Sequence, residues 1–321
     1  MKLALGLGLV FSLSLGGCNT FSAKQEEAIY SPTEGVLETV AVLRRHVPDD
    51  TYRFPPANDF SGRNVYRASL LRLESLQRAE ADALRSGYLD SVIFFAKARA
   101  LERLRAFDLA AQQYRESAEL SSELAETAQV SAAICDRLHL ASQIGIDLAD
   151  PLADGGGRPR SLDPEVVRVD LDERVTQLSI LLEEVQDSHY RFLVQEEIER
   201  ADQIRAQYFV ELRPVLQDGA LIALQELQRV ATRHGASKNR LRHLLRLADF
   251  HALLAREYLA AIPPESLTFD PAKFRELVEA GIQLYELVAG HDGRPEKLEA
   301  TRSLEAFLAL TLSIDADRFD R

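Results

Sequence analysis

The chain of 321 residues has no tryptophan, one methionine at its start, two cysteines, and six lysines among its 38 basic residues. Two cysteines, Cys18 and Cys135, exclude a disulfide-rich scaffold, and without a CxxC pair they exclude the usual cysteine zinc sites. The scarcity of lysine, methionine and tryptophan reads as a coding bias rather than an arginine-specific function. Beyond an apolar run from Leu3 to Leu15, no stretch approaches the roughly 20 apolar residues that a membrane helix needs. Positive charge is also short: 50 acidic residues leave a net charge of −12, which excludes a general nucleic-acid binder. HExxH, GxSxG and GK[ST] are all missing, so the common zinc-protease, hydrolase and nucleotide-binding signatures are excluded and no cofactor is implied. No stretch has the alternation and turn chemistry of a hairpin; Val166 to Leu171 is locally β-branched but stands alone.

What is present begins at the N-terminus. Lys2 is followed by the apolar run, which ends at Leu15-Gly16-Gly17-Cys18. A charged start, a short apolar segment and small residues before a cleavage point are the parts of an export signal. The tetrapeptide resembles the lipobox of bacterial lipoproteins. That resemblance implies cleavage before Cys18, acylation of Cys18, and a protein anchored to a membrane rather than spanning it. Asn19 is not the aspartate that favours inner-membrane retention in enterobacterial lipoproteins, so the resemblance implies the outer membrane, periplasmic side. Removal of residues 1–17 takes away Lys2 and leaves 37 basic and 50 acidic residues, a net charge of −13. With Cys18 acylated, Cys135 has no partner in the chain and, between Ile134 and Leu138, reads as a buried structural thiol.

The remainder divides by composition into a tether and strap over 18–60, a helical domain over 61–150, a linker over 151–164 and a second helical domain over 165–321. In the strap, Val36, Val40 and Leu43 recur at helical spacing before Pro48, Pro55 and Pro56 interrupt. Tyr52, Phe54 and Phe60 among those prolines predict that the strap packs on the body. From Asn64 the 3.6-residue period takes over: Leu70, Leu73, Leu76 and Leu84 mark one helix, Phe94, Ala98, Leu101 and Leu104 a second, and Ala110, Tyr114 and Leu120 a third. A helix over Glu123–Ile146 follows. Pro151, Gly155, Gly156, Gly157 and Pro159 then make the linker, which lacks the strand and lysine of a phosphate loop. Leu171, Val175, Leu178, Leu182 and Val185 alternate by four and three, the seam of a bundle helix. Further helices are expected over about His189–Leu212, Val215–Arg233, Lys238–Ile262, Pro271–Ala289 and Pro295–Phe319, with Pro271 and Pro295 in first turns.

Residues 91–124 resemble a tetratricopeptide repeat. The large residue opening its first helix would be Phe94, followed by Ala98 and Leu101; Phe107 would be the turn aromatic, with Ala110 and Tyr114 on the second helix. Lys97, Ser117 and Ser122 depart from the pattern, which usually has leucine, alanine and proline there. The resemblance implies an all-α fold, a tetratricopeptide-like α-solenoid of antiparallel helix pairs.

Candidate chemistry is sparse. Of seven histidines, His243 and His251 lie about 80° apart on one helix. With Asp249 and Glu257 they could form a metal or enzyme site, the weakest of three functional alternatives. His189 falls on the seam and reads as a capped core residue. Glu183-Glu184 and Glu196-Glu197 read as solvated faces. Arg240, Arg242, His243 and Arg246 interrupt the acid field, and the arginines could contact a partner or anion, or pair with neighbouring helices. The expected protein is not an enzyme. It is a lipid-anchored scaffold or assembly adaptor for other envelope proteins, with a small-molecule- or lipid-binding role as the alternative.

Overall fold

The computed structural model describes residues 32–46, 64–79, 84, 89–145 and 163–319. Among these it is all helix and turn, with no strand. The helices are α1 (Pro32–His46), α2 (Val65–Ala79), α3 (Asp90–Arg103), α4 (Phe107–Leu120), α5 (Ser122–Gln143) and α6 (Pro164–Glu184). After them come α7 (Tyr190–Leu212), α8 (Gly219–Arg233), α9 (Arg240–Ala261), α10 (Pro271–Ala289) and α11 (Pro295–Phe319). The aromatic strap residues, most of the linker and the signal segment with Cys18 lie outside the described residues.

Local chemistry accounts for the helix starts. Before α6, the Asp163 carboxylate accepts from Glu165 N at 2.9 Å, and Pro164 occupies the first turn. Before α10, Asp270 accepts from Ala272 N at 2.9 Å and Lys273 N at 3.3 Å, with Pro271 next. Each cap satisfies donors that the helix leaves open, and each proline sits where its missing N–H is not needed. The expected start of α8 at Val215 is displaced. Arg213–Val215 forms a 3-10 turn, Asp218 adopts a left-handed φ of 54°, and α8 begins at Gly219. A Cβ at Gly219 would lie 2.2 Å from the Arg213 carbonyl oxygen, so only glycine fits this turn.

Substantial helix contacts join elements one or two apart in the chain. The buried side chains form four successive groups. Val36, Leu43, Leu73 and Ile93 unite α1, α2 and α3. A larger group runs from Ala98 through Tyr114, Cys135 and Leu178 to Ile198, joining α3 through α7. Val167, Phe209, Leu227 and Phe250 join α6 through α9, and Leu245, Tyr285 and Phe307 join α9 through α11. Each buried leucine or phenylalanine contributes about 1.5–3 kcal/mol of transfer free energy. Of the residues carrying the repeat resemblance, Ala98, Leu101, Phe107, Ala110 and Tyr114 are buried together, while Phe94 is half-exposed.

Candidate functional site

α7 is the most enclosed helix, and it carries polar residues inward as well as apolar ones. Leu193, Val194, Ile198, Ala201, Ile204 and Phe209 are buried, and so are Glu197, Glu199, Asp202 and Gln203. Unpaired charges would be prohibitive there, so neighbouring helices supply their partners. Glu197 accepts from Arg105 Nε at 2.6 Å and Nη2 at 2.9 Å, and from Arg174 Nη2 at 3.0 Å. Glu199 accepts from Ser237 Oγ at 2.8 Å and faces His243 Nε2. Asp202 is held by Arg229 Nη1 at 2.6 Å, Arg233 at 3.1 Å and His234 at 2.8 Å.

A related cluster joins the end of α3 to the start of α7. Glu102 is fully buried, accepting from Tyr114 Oη at 2.7 Å and Arg99 at 3.2 Å, with His189 Nε2 at 2.8 Å. Burial alone would raise its pKa. The Arg99 charge and the hydrogen bond from His189 outweigh that and hold the carboxyl down to about 2. The same competition leaves Glu197, Glu199 and Asp202 below the ordinary carboxylate range: burial opposes ionisation, while Arg105, His243 and His234 respectively supply the leading favourable interaction. Cys135 is also fully buried, and its thiol is pushed up, first by burial and then by the Glu102 charge. It is therefore a neutral packing group.

The residues singled out from sequence have diverse surroundings. His243 is buried against Glu199, Asp249 accepts from Tyr285 Oη at 2.6 Å, and Glu257 pairs with Arg213. His251 is buried beside Gly281 with Nδ1 unpartnered, and burial lowers its pKa. Each of the four has different surroundings, and no group of three or more histidine, cysteine, aspartate or glutamate side chains is placed to hold a metal among the described residues. His189 is fixed between Glu102 and Arg99, much as its place on the seam implied. Glu183 and Glu184 are exposed, as expected. Glu197 corrects the expectation of a solvated face, because only its neighbour Glu196 reaches the surface.

Arg240 and Arg242 are exposed and Arg246 is half-buried, all on α9. Many arginines around α7 meet a carboxylate; these three do not, among the described residues. Arg246 reaches Gln203 Oε1 at 3.4 Å and lines a cavity of about 10 Å³ between α7, α8 and α9, room for about one water. Sequence reasoning missed the buried acids of α3 and α7. A signal existed, since Glu102 shares a helix face with Ala98 and Leu101, and Glu197 lies one turn after Leu193. Compared with known proteins, the chain matches no family model and no curated protein.

Proposed function

We propose that this protein is a lipid-anchored periplasmic scaffold or assembly adaptor, whose tetratricopeptide-like helix pairs bind another protein of the cell envelope. The observation that carries the reading is the packing of α1 to α11 in chain order, each helix chiefly against those one or two positions away. Helix pairs stacked in series create long, continuous surfaces suited to a protein partner. The α3–α4 hairpin supports the repeat-like part of the reading: Ala98 and Ala110 are fully buried where two helices approach closely, flanked by Phe107 and Tyr114. The address rests on the lipobox-like Leu15-Gly16-Gly17-Cys18, with Asn19 pointing to the outer membrane.

The test is crosslinking in intact cells, followed by purification of the mature protein from detergent-solubilised envelope and mass spectrometry. A stoichiometric envelope partner is expected, and a protein recovered alone would overturn the adaptor reading. Cys18→Ala should accumulate unprocessed precursor, whereas normal processing to a soluble form would remove the anchor.

A further inference from the structure

The side chains around the α7–α9 seam are distinguished by how their charges are matched. Arg229 and Arg233 hold Asp202, Arg213 holds Glu257, and Arg205 holds Asp172 and Glu226. Arg242 and Arg246 lie one helical turn apart on the same face of α9, and neither meets a carboxylate among the described residues. The nearby acids are already committed. Glu199 accepts from Ser237 and from Gln203 Nε2 at 3.3 Å and faces His243, while Glu211 accepts from Gln207 at 2.6 Å. Arg246 is consequently a half-buried cation whose contact is a neutral amide oxygen, at the edge of a small polar cavity. Burial, and then the adjacent Arg242 charge, hold its guanidinium below the ordinary arginine range. A desolvated cation next to a second cation is unfavourable by itself, and an anion bridging both removes the repulsion and supplies the missing acceptors.

We infer that Arg242 and Arg246 form a receptor for a phosphate group, taken either as free phosphate or as the phosphate of a lipid headgroup. Two planar guanidinium forks carry a combined charge of about +2, which a dianionic tetrahedral oxyanion matches and a single carboxylate does not. The seat at the cavity edge admits the anion's oxygens but not a large organic group, so recognition is of the phosphate itself. Arg240 lies about 200° around the helix from Arg242 and has no part in the site. This inference stands apart from the adaptor reading, since it concerns one anion and not a protein surface.

The experiment is isothermal titration calorimetry of the full-length protein in detergent with inorganic phosphate, and with acetate at matched ionic strength. Phosphate should bind measurably tighter than acetate. Arg242→Gln and Arg246→Gln should each weaken phosphate by about tenfold or more, the loss of a charge-assisted bidentate contact. Arg240→Gln should leave it unchanged. Arg242 is exposed, so its replacement tests the site even where Arg246→Gln perturbs folding. Glycerophosphoglycerol, the deacylated headgroup of an anionic lipid, separates the sources. Equal or tighter binding of this diester assigns a lipid headgroup, and binding of inorganic phosphate alone assigns free phosphate. Phosphate binding no tighter than acetate, or full affinity retained by natively folded Arg242→Gln, overturns the inference.

Discussion

Replacement of Glu102 by glutamine is the most direct probe of the buried charges. The carboxyl is fully buried and titrates at about 2, against an ordinary value of 4.5. At about 1.4 kcal/mol per pH unit, that difference corresponds to about 3 kcal/mol of folding stability at neutral pH. The folded value is the depressed one, so this stability is complete above pH 4.5 and drains away as pH falls towards 2. Glu102→Gln preserves shape but strips the counter-charge from Arg99 and His189 and weakens the acceptor for Tyr114. Stability at pH 7 should fall by about 3 kcal/mol, and the acid limb between pH 4.5 and 2 should flatten by a similar amount. Urea unfolding followed by far-UV circular dichroism suits a helical protein without tryptophan. A loss under about 1 kcal/mol with an unchanged acid limb would refute the electrostatic account.

Gly219→Ala should destabilise the protein by about 2 kcal/mol or more, because the new Cβ would meet the Arg213 carbonyl and the backbone must shift. The same urea assay reads it, and near-neutral behaviour would mean that the turn relaxes freely. The Cys135 peptide should stay unmodified by iodoacetamide in the native protein and react fully in urea, as peptide mass spectrometry will report. Rapid native labelling would contradict its burial.

The fold was largely legible because helices write their period into sequence. The expected helices over Pro271–Ala289 and Pro295–Phe319 appear with those ends, where proline sets the start. The expected Val215 start failed because the turn depends on a close approach between Gly219 and Arg213, which no periodicity reveals. The buried acids were hidden for a related reason. Glu197 needs Arg105, 92 residues earlier, to be stable inside, and its neighbour Glu196 made the pair look like an ordinary charged face. The arginines of α9 were visible as a cluster, but only three dimensions show that Arg240, Arg242 and Arg246 lack carboxylate partners while Arg229 and Arg233 share Asp202.

Those long-range pairs also bear on how the helical array behaves. In a strictly one-dimensional array each unit touches its neighbours and can open on its own. α7 departs from that limit. Glu197 is held by Arg105 after α3 and by Arg174 of α6, and Glu196 by Arg103 of α3 and by Lys238 before α9. One apolar group also runs unbroken from Ala98 to Ile198. Opening α3–α5 alone would strip Glu197 of Arg105, and His189 of Glu102, leaving buried charges that cost about 3–5 kcal/mol to expose in this way. The α3–α5 segment should therefore open together with α7. Hydrogen exchange under native conditions measures this: amides of α4 and α5 should share the opening free energy of those in the first half of α7. Exchange in α4 and α5 faster by more than about tenfold would show that the charge pairs do not couple the two halves.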